Sequence, residues 1–162
     1  MGVTDFSVPL IIGLGNEHRR DDRCGLDVVR GLQAHLGVDA RIVEGGDDAS
    51  DLLDLWDGAG TVYVVDAIRS GRPSGTLHRF EIGSTPPPAG LPVTSTHGLS
   101  LADAIALGRA LGRMPRRLVV YGIEVQDVST GSGLTPAVAA GVADAIWRLA
   151  EEIATTSEVA HA

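Results

Sequence analysis

Residues 8–36 read VPLIIGLGNEHRRDDRCGLDVVRGLQAHL, and the change of period inside them decides the fold. Val8 to Gly13 is an unbroken apolar run, the pattern of a short strand buried on both faces. Leu26, Val29, Leu32 and Leu36 then recur at helical spacing up to Gly37. A strand, a glycine-bearing turn and a helix in that order open a βαβ unit, and a parallel sheet needs such crossovers.

The rest of the chain repeats the alternation. Asp39 to Glu44 and Thr61 to Asp66 read as strands, with Asp51 to Trp56 a short helix between them that Ser50 would cap. After a turn at Gly71 to Gly75, Thr76 to Ile82 reads as an antiparallel edge strand. A proline-rich loop from Pro86 to Pro92 leads to a helix that starts after His97 and includes Leu101, Ile105 and Gly108, and Arg117 to Ile123 is the last strand. Val138, Val142, Ile146, Leu149 and Ile153 form the cleanest helical stripe, beginning at Thr135-Pro136, where proline suits a first helical position. The expected fold class is α/β: a three-layer α/β/α domain over 1–155, with a mostly parallel, doubly wound sheet of about five strands and one antiparallel edge strand. Residues 156–162 read as a flexible tail.

Composition narrows the function. The chain has 162 residues, 44% of them hydrophobic, which suits one core. Its 13 Lys and Arg against 21 Asp and Glu give a net charge of −8, so it would repel a phosphate backbone, and nucleic acid is not an expected partner. Cys24 is the single cysteine, which excludes an internal disulfide framework and suits a reducing cytoplasm. The apolar run ending at Leu14 is too short for a membrane span, and no basic residue precedes it as in a signal peptide, so no membrane association is expected. The sequence sets no oligomeric state.

In a parallel sheet ligands sit outside the carboxyl ends of the strands. That rule nominates Gly15 to Asp22, Asp66 to Ser70, Thr94 to His97, and Glu124 to Leu134. Asp22, Asp66 and His97 stand out among their residues: two carboxylates and an imidazole make a mixed oxygen and nitrogen set for a borderline cation such as nickel or zinc. Each also has an ordinary reading, with Asp66 as a strand-end acceptor, Asp22 as a charge at a helix start and His97 as a loop residue.

Five ordered motifs resemble those of the hydrogenase maturation proteases. They are Gly13-Leu14-Gly15-Asn16 with Asp21-Asp22 and Gly25; Glu44-Gly45-Gly46; Val65-Asp66-Ala67; Ser95-Thr96-His97 with Leu99 and Leu101; and Tyr121-Gly122-Ile123-Glu124 with Gly133-Leu134-Thr135-Pro136. The resemblance implies that Asp22, Asp66 and His97 are the metal-contacting and catalytic residues. It implies an endopeptidase that recognises nickel in the immature large subunit of a NiFe-hydrogenase and removes its C-terminal extension. The nickel would be supplied by the substrate, with no tightly held cofactor, and the precursor large subunit would be the partner. The chain departs from the family pattern at Arg23 and Cys24, where a glycine and a small residue are common, and at Val125, where proline is common.

Other residues carry weaker signals. Asn16 suits a turn, Glu44 could face the site or end a strand in solvent, and Asp21 could add negative potential or support the ligands. Cys24 near a helix start could be activated, but a nucleophile needs a positioned base. Ser95 lacks a Gly-x-Ser-x-Gly elbow. His18, His35, His78 and His161 read as surface or turn residues. Two other functions compete. Gly13-x-Gly15 with Glu44 resembles a dinucleotide-binding fingerprint, although His18 stands where the third glycine belongs. A non-catalytic chaperone that grips the large subunit is the other.

Overall fold

In the computed structural model, residues 8–35, 37–45, 49–83 and 101–160 are described. Five strands form one sheet: β1 (Leu10–Gly13), β2 (Arg41–Glu44), β3 (Thr61–Ile68), β4 (Leu77–Ile82) and β5 (Arg117–Glu124). Their spatial order is β2-β1-β3-β5-β4. β1 pairs in parallel with β2 and β3, β3 pairs in parallel with β5, and only β4 runs antiparallel, at the edge. This is the mixed, mostly parallel sheet expected from the sequence.

The helices are α1 (Cys24–Ala34), α2 (Ala49–Trp56), α3 (Leu101–Leu111) and α4 (Pro136–Ala160), and a 3-10 turn at Arg20–Arg23 feeds α1. Alternation along the strands divides the core in two. Tyr63, Val65, Val119 and Tyr121 face α1 and α4, and Val62, Val64, Leu118 and Val120 face α2 and α3. Three layers result. None of the described helices is long and apolar enough to cross a membrane.

Some boundaries differ from the sequence reading, each for a local reason. β3 continues to Ile68 because β5 pairs with it through Ile68↔Glu124, whereas β1 stops at Gly13↔Val65. Asp66 is therefore inside β3, one residue past its last partner on β1. α2 begins at Ala49, so Ser50 lies within the helix and not at its cap. α4 continues to Ala160, beyond the expected end at Thr155. There the Thr155 and Thr156 hydroxyls donate to the Glu151 and Glu152 carbonyls one turn back, an intrahelical bond that threonine can make without breaking the ladder.

α4 is also tied to the sheet by polar contacts. Arg79 on β4 donates to Glu152 at 2.5 and 3.2 Å, and the Tyr121 hydroxyl donates to the same carboxylate. Burial alone would raise the Glu152 carboxyl, but the Arg79 and Tyr121 hydrogen bonds outweigh it and hold the group below its usual value. A carboxyl depressed in the folded state stabilises fully above its unfolded value, about 4.3, and that stability is lost as pH falls through the folded value. The thermal midpoint, scanned from neutral to acid, is expected to fall more steeply in the native protein than in Glu152→Gln; parallel curves would contradict the tie.

Candidate functional site

The strand order reverses between β1 and β3, since β1 leads outward to β2 and β3 leads the other way to β5. Open α/β sheets bind ligands in the crevice beyond the carboxyl ends at such a reversal. Three of the four segments nominated from the sequence meet there. The fourth, Thr94 to His97, lies outside the described residues with Pro86 to Pro92 and Ser95, as do Gly46 and His161.

Two close approaches build the crevice. A Cβ on Gly25 would collide with the carbonyl oxygens of Leu14, the residue after β1, and of Val65, the last partner of β1 on β3. Only a residue without a side chain lets the start of α1 rest directly on both strand ends. Gly15, at φ +152°, leaves room for the Asp22 carbonyl oxygen, which accepts the Asn16 N–H at 3.3 Å. The Asn16 side chain closes the turn by accepting the His18 N–H at 2.9 Å, the supporting role expected of it.

Packing the turn this tightly drives four carboxylates out of water at one edge of the sheet: Asp21, Asp22, Asp66 and Glu124 are all buried. Asp22 enters from the 3-10 turn and Asp66 from β3, where it shares a face with Val62 and Val64. The Asp66 Oδ1 accepts the Ala67 N–H at 2.8 Å. Burial pushes the Cys24 thiol well up, and the charges of Asp66 and then Asp22 push it further. A thiol so placed is neutral and enclosed, which removes the nucleophile reading of Cys24.

Arg23 does not oppose the carboxylates. Its guanidinium makes two bonds, 2.9 and 3.0 Å, to Asp27 one turn along α1. Glu44 at the end of β2 meets Arg30 at 2.5 Å, and Arg30 also meets Glu17 at 3.3 Å. These groups border a cavity of about 360 Å³ beside Gly15 and Gly45. The ribose-binding role weighed for Glu44 would thus have to displace an ion pair, and His18 is exposed on the same rim.

Two buried acids do work that the sequence did not reveal. Asp21 accepts hydrogen bonds from Gln126, Asp127 and Thr135, and so holds the loop after β5. Glu124 accepts from the Ser70 N–H at 3.1 Å and from the Ser70 hydroxyl, and meets His78 Nε2 at 3.2 Å. His78 is therefore a half-buried strand residue against a carboxylate, not the surface or turn histidine expected. Its place on one strand face with Phe80 and Ile82 was the available signal.

Among the described residues no group of three His, Cys, Asp or Glu side chains is arranged to hold a metal ion. α3 leads into β5, which is parallel to β3, so α3 runs back along the sheet and Leu101 begins it toward the carboxyl edge.

Comparison with known proteins gives a consistent result. Residues 26–152 match the family model described as hydrogenase maturation protease. The hydrogenase expression/formation protein HupD of Thiocapsa roseopersicina is 29% identical over 155 residues, which cover 94% of this chain and 70% of that one. The hydrogenase 2 maturation protease of Escherichia coli is 27% identical over 139 residues, 85% of each chain. The solved structure of the hydrogenase maturating endopeptidase HybD from Escherichia coli superposes with a TM-score of 0.72 at 25% identity, covering 88% of this chain and 89% of that one.

The Cys24 environment yields a simple test. The native protein, incubated with iodoacetamide at neutral pH and weighed by mass spectrometry, should remain unmodified until it is unfolded. Rapid alkylation of the folded chain would show an accessible thiolate and contradict the burial.

Proposed function

The chain belongs to the hydrogenase maturation protease family, and from that premise we propose that it is the endopeptidase that removes the C-terminal extension from an immature NiFe-hydrogenase large subunit. The observation that supports the proposal is the burial of two carboxylates, Asp22 on the turn before α1 and Asp66 on β3, at the edge where the strand order reverses between β1 and β3. Asp22, Asp66 and His97 are the residues proposed to contact the metal. His97, which lies outside the described residues, is included on its motif Ser95-Thr96-His97.

The nickel is part of the substrate. Two carboxylates and one imidazole form a mixed donor set suited to a borderline cation, but an incomplete one. Such a set binds free metal weakly and gains affinity when the precursor brings the remaining ligands, so a nickel-loaded precursor is preferred over an empty one. Nickel held there would supply Lewis-acid polarisation of an attacking water, and Asp22 or Asp66 would accept its proton as the base. On this reading the enzyme holds no cofactor of its own and works in the cytoplasm, where the single free cysteine stays reduced.

Purified protein mixed with a nickel-loaded large-subunit precursor is expected to yield a shortened precursor by mass spectrometry. An unchanged precursor in a stable complex would instead favour a chaperone. Asp66→Asn and His97→Ala should each lower the cleavage rate by roughly a hundredfold or more, with circular dichroism unchanged. Processing at the native rate by both variants would overturn the site.

A further inference from the structure

Asp21 sits beside the proposed ligand Asp22, yet its carboxylate is fully committed to a loop more than a hundred residues away. Its Oδ1 accepts the Thr135 N–H at 2.7 Å, and its Oδ2 accepts the Asp127 N–H at 2.8 Å and the Gln126 N–H at 3.1 Å. The Thr135 hydroxyl reaches both oxygens at 3.0 Å. The Asp21 N–H in turn donates to the Asp127 carbonyl at 2.9 Å.

The same loop grips the chain just before Asp21. Gly131 donates to the His18 carbonyl at 2.9 Å and accepts the Arg20 N–H at 3.3 Å, and the Arg19 Nε donates to the Val128 carbonyl at 3.1 Å. Between these grips Arg20 has φ 39°, the one non-glycine residue with positive φ among those described. A side-chain-bearing residue holds that conformation only where its surroundings over-determine it. The strain sits immediately ahead of the Asp21-Asp22 pair.

We infer that Asp21 is a positioning residue for the reaction: by clamping the loop 126–135 it holds the strained turn, and through that turn it sets the backbone of Asp22 at the crevice. The inference rests on the proposed role of Asp22 at the metal. Asp22 is tied to this turn by its own N–H, which donates to the Arg19 carbonyl at 2.9 Å, and by its carbonyl, which accepts from Asn16. Releasing the clamp therefore lets Arg19 and Arg20 relax and moves Asp22 with them. Asparagine is nearly the same shape as aspartate but presents a donor amide where both oxygens now accept, so Asp21→Asn sets a donor against a backbone N–H.

Two readouts test this. In hydrogen exchange, Asp21→Asn should speed exchange at Gln126, Asp127 and Thr135 and also at Asp22 and Asn16. Faster exchange confined to 126–135 would overturn the inference whatever the enzyme's activity. In cleavage of the nickel-loaded precursor, the variant should lose roughly tenfold to a hundredfold in kcat with KM nearly unchanged, the sign of a misplaced reacting group. Thr135→Val should act in the same direction, and Thr135→Ser, which keeps the hydroxyl, should recover most of the rate. A folded Asp21→Asn enzyme with native kcat would sink the inference while leaving the proposed function standing; a native enzyme that cleaves no precursor would instead sink the function, and the exchange experiment would still decide the role of Asp21.

Discussion

The contact on which the rest of the site depends is the seating of Gly25 against the carbonyl oxygens of Leu14 and Val65. A helix start placed directly on two adjacent strand ends leaves no room for a side chain. That is why the turn before α1 folds over the crevice instead of standing away from it. Asp22 precedes the contact and Asp66 follows it, one on each side of the same junction. Gly15 completes the arrangement by admitting the Asp22 carbonyl.

Burying carboxylates has a cost unless each finds partners. Asp21 and Glu124 are met almost entirely by the protein's own donors, and in return they pin two loops to the sheet edge. Asp66 accepts the Ala67 N–H, and Asp22 is buried on the turn before α1; this pair is the one proposed to receive the substrate's nickel. Arginines deal with the remaining nearby charges locally: Arg23 with Asp27, and Arg30 with Glu17 and Glu44. A chain of net charge −8 thus buries four acids at one edge of the sheet, while arginines pair Asp27, Glu17 and Glu44 nearby.

Much of the framework was legible because it rests on short-range patterns. The apolar run to Gly13, the stripe from Leu26 and the proline at 136 each determine local structure by periodicity or by a fixed φ, and the sheet with its antiparallel edge followed from them. Asp22 and Asp66 were nominated by a rule about strand ends, and both are buried at that edge, while His97 lies outside the described residues. What stayed hidden depends on partners distant in sequence. The Asp21 bonds span 105 to 114 positions, so nothing near Asp21 distinguishes a clamp from a helix-start charge. Likewise His78 read as a surface or turn residue because Glu124, its partner, is 46 positions away. The Arg23–Asp27 pair lies at helical i,i+4 spacing and could have been read.

The most direct test of the account is a crystal structure of the protein soaked in nickel concentrated enough to fill a weak site, with the ion located by its anomalous scattering. The account predicts one nickel in the β1/β3 crevice, with an oxygen of Asp22, an oxygen of Asp66 and a nitrogen of His97 all within about 2.0–2.2 Å, the range for such donors at a borderline cation. Carboxylates of Asp22 and Asp66 too far apart to share an ion, or nickel bound elsewhere with the crevice empty, would contradict it.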